Sequence, residues 1–490
     1  MMRGCEERRI APAGLRLAVE GLLAAGGRMQ MLYARTGSDG PELNYLASAG
    51  RDFVLFRLAV ESDAGVPSLA PRVPLLGWYE REVRDLYGLD FAGHPEPHPL
   101  LVTGWEGPGP LAGRGRAPVA GLRAPWVTPA VEGDGVQLLP FGPVRADVLE
   151  SAQFLFFYLG EGILRYEPRL FFKHRGVEDA FVGRAPEAGV VLAERVSGVG
   201  SFAHALAYCQ AVEHAAECEV PPAARWWRSG LAELERLYNH FHYFGQLADT
   251  TTLKVGQAEG RLLEERVKQL CARVCGSRFL RGVLTPGGLR RTPALPQSFA
   301  SELRALRRDG ERYLAALEAT NSYLDRLLTT GVLPRQTAFD QGATGPVGRA
   351  SGLGLDLRRD HPYADYVDFK PTVPVREAGD AHARAAVRAA EIDASFEMLE
   401  QLLAHPIAGL LRAECAPLPH SEGLGWAESP RGSLFYAVHL GADGRLARVK
   451  IKSPSFSNWR VFPFTVQDSN MMDYAINEAS FGLTVAGCAR

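Results

Sequence analysis

The chain has 490 residues, 46% of them hydrophobic and 22% charged, an ordinary globular composition long enough for two or three domains with real cores. Its 54 basic and 56 acidic side chains leave a net charge of −2, which excludes the electrostatic footprint of a nucleic-acid binder. Seven scattered cysteines without a Cys-x-x-Cys pair exclude a disulfide framework and a self-contained zinc or iron–sulfur site.

The opening MMRGCEERRI lacks the apolar run of a secretory signal. The densest apolar run, FLFFYLG (154–160), is far short of the ~20 residues of a membrane span. A soluble, cytoplasmic-type protein is expected, with membrane association made through partners. Residues 1–105 read as a small α/β unit: helical LRLAVEGLLAA, then the extended runs MQMLYAR, LNYLAS and DFVLFRLAVE between Gly, Asp and Ser turns. In GWYEREVRDLYGLDFAGHPEPHPLL (77–101) a short charged helix leads into a His/Pro-rich loop. Residues 106–135, rich in Gly and Pro and without periodicity, read as a linker.

Residues 136–490 read as a larger, mainly helical unit with flanking β structure, which makes the fold class α+β. The stretch 140–172 alternates like strands, and helices are expected over about 203–216, 222–248, 260–280, 297–328 and 380–413. Leu263, Val267, Leu270 and Val274 keep the spacing of one buried helical face, with Cys271 and Cys275 as small core residues beside them. Glu233, Glu235, Arg236, His240 and His242 spread around the second of these helices and read as ion pairs or solvated positions. LFYAVHL, GADG and RLARVKIK (434–452) form a hairpin. Neither TPGG (285–288) nor GLGLDL (352–357) is a dinucleotide fingerprint, so no nucleotide site is expected.

Two sets of motifs carry a family resemblance. GWYEREVRDLYGLDFAGHP resembles the signature of the C-type subunit of complex I, the NADH-quinone oxidoreductase. FKHRGVED (172–179), LAELERLYNHF (231–241), FLRGVLTPGG (279–288), GPVGRASG (345–352), ESPRG (428–432) and IKSPSFSNWR (451–460) resemble the D-type subunit of complex I. They also resemble the large subunit of energy-converting nickel–iron hydrogenases such as formate hydrogenlyase, and ESPRG and GPVGRASG tilt the match toward that branch. The chain is thus similar to a fused C/D-type protein. The resemblance implies a peripheral oxidoreductase subunit on the cytoplasmic side of the cell membrane. Its implied partners are an iron–sulfur small subunit like the B-type one of complex I, a ferredoxin-like iron–sulfur subunit, and antiporter-like and H-type membrane proteins. It also makes the loop carrying His94 and His98 a contact loop rather than a metal site.

In the hydrogenases of this family two Cys-x-x-Cys pairs hold the metals. The resemblance places those positions on Ser197 and Gly200 in RVSGVG (195–200), and on Thr484 and Gly487 in SFGLTVAGCAR (480–490). A hydroxyl is protonated near neutrality, glycine has no side chain, and soft metals need thiolates. Cys488 sits one place past a ligand position. No metal and no cofactor are therefore expected on this chain, with an iron–sulfur cluster on the partner subunit. The family site forms where the turn meets the tail, so the apolar residues 480–490 are expected to be buried.

Glu178 matches the carboxylate that relays protons beside the metal, and Arg431 matches the arginine that donates toward the iron's ligands. His204, Arg349 and Asp356 also lie in matching motifs. The bland alternative is that these groups satisfy one another in an emptied cavity. Complex I holds quinone with a His and a Tyr. The resemblance puts Arg145 (in GPVR, 142–145) at the first position and places the second near Gly198, so neither donor is kept. Arg145 is left to donate to a quinone carbonyl, with His204 or Tyr208 as substitutes, or to be a solvated or salt-bridged arginine. Two readings follow: electron transfer from an iron–sulfur partner to a quinone or other acceptor with proton coupling, or a catalytically silent structural member of the same kind of complex.

Overall fold

A computed structural model describes residues 2–37, 40–60, 65–101, 109–112, 128–144, 150–416 and 418–490. The three expected extended runs are the strands Arg28–Gly37, Gly40–Ala49 and Asp52–Ala59, antiparallel neighbours in one sheet. A fourth strand, Glu6–Arg9, joins its edge in parallel with Asp52–Ala59. Its sequence, EERR, gives no period-2 apolar signal, because a mostly exposed edge strand needs none. The central strand Asp52–Ala59 is buried on both faces over Phe53–Leu58, which is why it reads as a continuous apolar run. The helix Gly77–Tyr87 packs on this sheet.

The expected hairpin is the pair Gly432–Leu440 and Leu446–Lys452. It belongs to a four-stranded sheet whose other members are Glu422–Ser429 and, at the edge, Met2–Arg3. The first ten residues therefore stitch the two sheets together: Met2–Arg3 lies in one and Glu6–Arg9 in the other. The seam is polar as well as apolar. Glu422 pairs with Arg35 and, at 2.6 Å, with Arg57, while the Tyr33 hydroxyl lies 3.1 Å from His439 Nε2.

The Ala-rich helix Ser201–Ala215 lies directly on this second sheet and is buried at nearly every position. Gly423 and Gly425 make that approach feasible, because a β-carbon at either would run into the helix backbone at Ala211 or Ala207. The long helix Pro222–Thr250 pairs with Lys254–Cys275, and Ala381–Ala404 packs across the former.

Three helix expectations need correction. The helix expected over 260–280 starts at Lys254 and stops at Cys275, where Gly276 takes φ +76° as its cap. The one expected over 297–328 breaks into Phe299–Glu318 and Asn321–Leu327. The last helix ends at Ala404, just before His405 and Pro406, rather than at 413. The stretch 140–172 supplies two strands, Gln153–Leu159 and Gly162–Arg169, which form a three-stranded antiparallel sheet with Gln137–Phe141. Most of the expected linker 106–135 lies outside the described residues. Among the described residues no helix is long and apolar enough to cross a membrane.

Candidate functional site

The turn at 195–200 is held by a carboxylate. The backbone N–H groups of Phe202 and Ala203, in the first turn of Ser201–Ala215, donate to the two oxygens of Glu235 at 2.8 and 2.9 Å. Glu235 comes from the long helix and is buried, with the Tyr238 hydroxyl donating to it at 3.2 Å. It satisfies two of the orphan donors of a helix N-terminus. Burial pushes its carboxyl up to about 7 even so, with the backbone donors holding it back.

The C-terminal tail is built in the same way. The short helix Val485–Ala489 is capped by Thr484, whose Oγ1 accepts from Gly487 N at 3.2 Å. Its first N–H groups, on Val485 and Ala486, donate to Glu150. As expected, the tail is buried: Cys488 and Ala489 are fully enclosed, and burial raises the Cys488 thiol well above its ordinary value.

These two elements meet. A β-carbon built on Gly487 would lie 2.5 Å from Thr484 Oγ1 and 3.5 Å from both Cβ and Oγ of Ser197. Ser197, Gly200 and Gly487 line one small pocket, whose wall also includes His204, Arg431 and Ser455. Thr484 sits behind Gly487, with its hydroxyl 3.2 Å from that of Ser455. The four positions that the resemblance assigns to metal ligands are therefore neighbours in space. Their side chains are two hydroxyls and two hydrogens. That set holds no thiolate and does not fit a nickel–iron centre. Among the described residues no cluster of three or more His, Cys, Asp or Glu has metal-binding geometry.

The groups that remain are fixed. Arg431 lies in the tight turn between Glu422–Ser429 and Gly432–Leu440. Its Nε donates to Gly482 O at 2.7 Å and its Nη1 to Asn239 Oδ1 at 2.5 Å. Its Nη2 has no acceptor among the described residues. Burial lowers this guanidinium to about 10, so it stays a cation near neutrality. His204 Nδ1 lies 2.8 Å from the Tyr436 hydroxyl, and burial drives the imidazole down to about 3, which keeps it neutral. Tyr208 lies one turn further on, outside the pocket wall, and donates to Pro186 O at 2.7 Å. Arg145 lies outside the described residues.

Glu178 is not in the pocket wall. It sits behind it, ion-paired to Arg448 at 2.8 Å, Lys450 at 3.3 Å and Arg490 at 3.5 Å, and it accepts from Ile451 N at 3.1 Å. Glu82, from the helix Gly77–Tyr87, closes this cluster through Lys450 at 2.5 Å and Arg490 at 2.6 Å. Burial opposes ionisation of Glu178, but the three cations outweigh it and hold the carboxyl well below its usual range.

Arg349 and Asp356 lie in a second buried ionic network. Arg349 meets Glu391 at 2.6 Å and Glu428 at 2.9 Å, and Arg358 meets Asp356 at 2.8 Å and Glu233 at 3.1 Å. Arg236 completes it on Glu233, so the ion-pair reading of the long helix holds for these two, whereas His240, lowered to about 4 by burial, meets Glu391 at 2.8 Å as a neutral imidazole. The carboxyl of Glu428 is raised by burial and by the Asp356 carboxylate. His94 uses both ring nitrogens within its loop, against Gly77 O at 3.0 Å and Glu96 N at 2.9 Å.

Sequence reasoning missed Arg175. Its Nη2 donates to Val196 O at 2.7 Å and to Ala486 O at 3.2 Å, and its backbone N donates to Arg490 O at 3.0 Å. One side chain thus ties the turn to the tail. Its place in FKHRGVED, next to a carbonyl-binding His174, was the available signal; His174 Nδ1 lies 2.7 Å from Ala489 O.

The pattern described as the respiratory-chain NADH dehydrogenase 49 Kd subunit matches residues 261–417 and 410–490, and that of the 30 Kd subunit matches 9–113. The nickel-dependent hydrogenase pattern matches 175–258. Hydrogenase-4 component G of Escherichia coli (strain K12) is 31% identical over 442 residues, 87% of this chain and 76% of its own length. Formate hydrogenlyase subunit 5 of the same strain is 29% identical, covering 91% of this chain and 82% of its own length. A solved chain from the membrane-bound sulfane sulfur reductase, an archaeal respiratory membrane complex, shares the fold with a TM-score of 0.66 at 24% identity, over 73% of this chain and 99% of that one.

Proposed function

The chain belongs to the family that joins the 49 Kd and 30 Kd subunits of respiratory NADH dehydrogenase to the large subunits of hydrogenases, and from that premise we propose that it is the peripheral large subunit of a membrane-anchored, complex I-like oxidoreductase that has lost the nickel–iron centre. The observation that carries this reading is the meeting of Ser197, Gly200 and Gly487, with Thr484 behind them, at one pocket that has a cation and an imidazole but no thiolate.

In this reading an iron–sulfur small subunit, seated on the cytoplasmic side of the membrane, supplies electrons to an acceptor in the pocket. The acceptor is a quinone or a compound of similar hydrogen-bonding chemistry, which takes two electrons and two protons. Arg431 Nη2, with no acceptor of its own among the described residues, orients its oxygen, and neutral His204 lies beside it. The nearest buried carboxyl along the chain is that of Glu428, three residues before Arg431, which burial and the Asp356 carboxylate raise and which this reading takes as the proton donor. Glu178 is the ionic anchor under the site rather than a proton carrier, because its three cations keep it ionised.

One observation favours the second reading, a silent structural role: Arg431, His204 and Glu178 all have partners within the chain. Metal and activity assays on the purified assembly test the proposal. It expects no nickel above the buffer level, no hydrogen evolution from reduced viologen, and reduction of an added short-chain quinone. Bound nickel with hydrogen evolution would overturn it, and quinone inertness would leave the structural reading in its place.

A further inference from the structure

A second small pocket lies in the seam between the two units. Three cations line it, each from a different element: Arg28 from the first long strand of the N-terminal sheet, Lys452 from the end of Leu446–Lys452, and Arg460 from the helix Pro454–Val461. None of the three has a carboxylate within ion-pair distance among the described residues. The contrast with Arg349, Arg358, Arg448 and Lys450 is sharp, since each of those meets at least one carboxylate.

The bonds these cations do make are to neutral groups. Arg28 Nη2 donates to Ala343 O at 2.9 Å, and Arg460 Nε donates to Gln341 Oε1 at 2.9 Å. Lys452 Nζ donates to Gln30 Oε1 and Ser433 Oγ, both at 3.0 Å. Arg460 Nη1 is buried and has no hydrogen-bond partner among the described residues. It rests against Gly77, where a β-carbon would come within 3.1 Å of it. A buried donor left unpaired costs free energy, and a charged one costs more. Burial lowers Arg28 and Arg460 to about 10 and Lys452 to about 7; carboxylates beyond ion-pair distance, Glu96 and Glu80 for Arg460 and Glu428 for Lys452, offset it only in part.

We propose that this seam pocket binds a small tetrahedral oxoanion, phosphate or sulfate, held by Arg28, Lys452 and Arg460. The lining supplies donors on several sides and no carboxylate, the complement of an anion with four acceptor oxygens. The aromatic rings there are already engaged: Tyr79 and Phe456 contact each other at 4.9 Å, and Arg490 lies over Phe456 at 4.3 Å. The two rings pack on each other and on Arg490 rather than opening a stacking slot, so the ligand proposed is the bare anion and not a nucleotide. Because Arg28 belongs to one unit and Lys452 and Arg460 to the other, the anion is a clamp across the seam.

Equilibrium dialysis of the purified full-length chain against labelled inorganic phosphate, at constant ionic strength set with chloride, tests this. The expected result is about one phosphate per chain, displaced by sulfate, with affinity reduced about tenfold or more in Arg460→Gln and in Lys452→Met and largely kept in Lys452→Arg. Arg278→Gln, an exposed arginine paired with Glu265, should bind as the parent does. Phosphate uptake far below one per chain in the unaltered protein would overturn the proposal, whatever the variants' stability. So would equal affinity in well-folded Arg460→Gln and the parent.

Discussion

Ser197 and Gly487 lie against each other across the floor of the pocket, so close that a β-carbon on Gly487 would come within 3.5 Å of the serine hydroxyl. One residue belongs to a turn before a buried helix and the other to the last helical turn of the chain. Their meeting brings together two of the positions that the family resemblance assigns to metal ligands, and neither carries a thiolate. The contact is held by carboxylates on the two helix starts, Glu235 and Glu150, and by the Arg175 bridge.

The contact between positions 487 and 484 gives the first prediction. A methyl group at 487 would sit 2.5 Å from Thr484 Oγ1, closer than atoms can pack. Gly487→Ala should destabilise the chain by about 1–3 kcal/mol, and Thr484→Ala by about 1 kcal/mol through loss of the cap. The double variant should cost less than the sum by at least about 0.5 kcal/mol, because removing the hydroxyl relieves the clash. Urea unfolding of the four proteins measures this, and strict additivity would contradict the packing described.

Arg175 should matter to the tail more than to the fold as a whole. Its guanidinium bridges the Val196 and Ala486 carbonyls, and charge-assisted hydrogen bonds of this kind contribute about 1.5–3 kcal/mol. Arg175→Met should raise the amide hydrogen-exchange rates of Val485–Arg490 by about tenfold or more, while the core of Pro222–Thr250 is unchanged. Unaltered tail exchange would mean that the bridge does not hold the two elements together.

Glu178 tests the anchor against the relay. In Glu178→Gln, Arg448, Lys450 and Arg490 are left with Glu82 alone, an uncompensated buried charge that should cost roughly 3–5 kcal/mol. Adding Arg448→Met removes one of the stranded cations and should recover part of that loss. A Glu178→Gln protein that is as stable as the parent but has lost proton coupling would restore the relay role.

Glu235 sets a pH dependence. Its carboxyl titrates at about 7 in the folded chain against 4.5 for an unperturbed glutamate. Between those values the folded state holds a proton that the unfolded state has released, so this group's contribution to stability is full below pH 4.5 and falls as the pH rises toward 7. Its ceiling is about 3 kcal/mol, from 1.36 kcal/mol per unit. In Glu235→Gln that slope should vanish, and the Tm difference between parent and variant should change between pH 5 and pH 7.5. A difference that is constant over this range would show that Glu235 is already ionised at pH 5 in the folded chain.

Much of this was legible in the sequence. Three of the four strands of the N-terminal sheet and the hairpin 434–452 announce themselves by alternating or continuous apolar runs between Gly/Asp turns. The two halves of the site announce themselves only through family motifs, since RVSGVG and TVAGCAR carry no periodicity. What could not be read is tertiary. Glu6–Arg9 is a strand because an edge was available, not because EERR prefers one. The family resemblance puts Glu178 at a proton-relay position, yet its partners Lys450 and Arg490, and the Glu82 that shares them, come from distant segments whose meeting no local pattern encodes. The seam pocket is likewise invisible, because Arg28, Lys452 and Arg460 are ordinary basic residues until the two units close on them.

The most direct test of the proposed acceptor pocket follows the iron–sulfur cluster of the proposed partner subunit by electron paramagnetic resonance. The purified intact assembly is reduced with dithionite and mixed with a short-chain menaquinone, with an Arg431→Gln assembly alongside. The account predicts rapid reoxidation in the parent, slowed about tenfold or more when the Arg431 donor is removed. Reoxidation no faster than in the absence of protein, or equally fast in the variant, would contradict an acceptor site between Ser197, His204, Arg431 and Gly487.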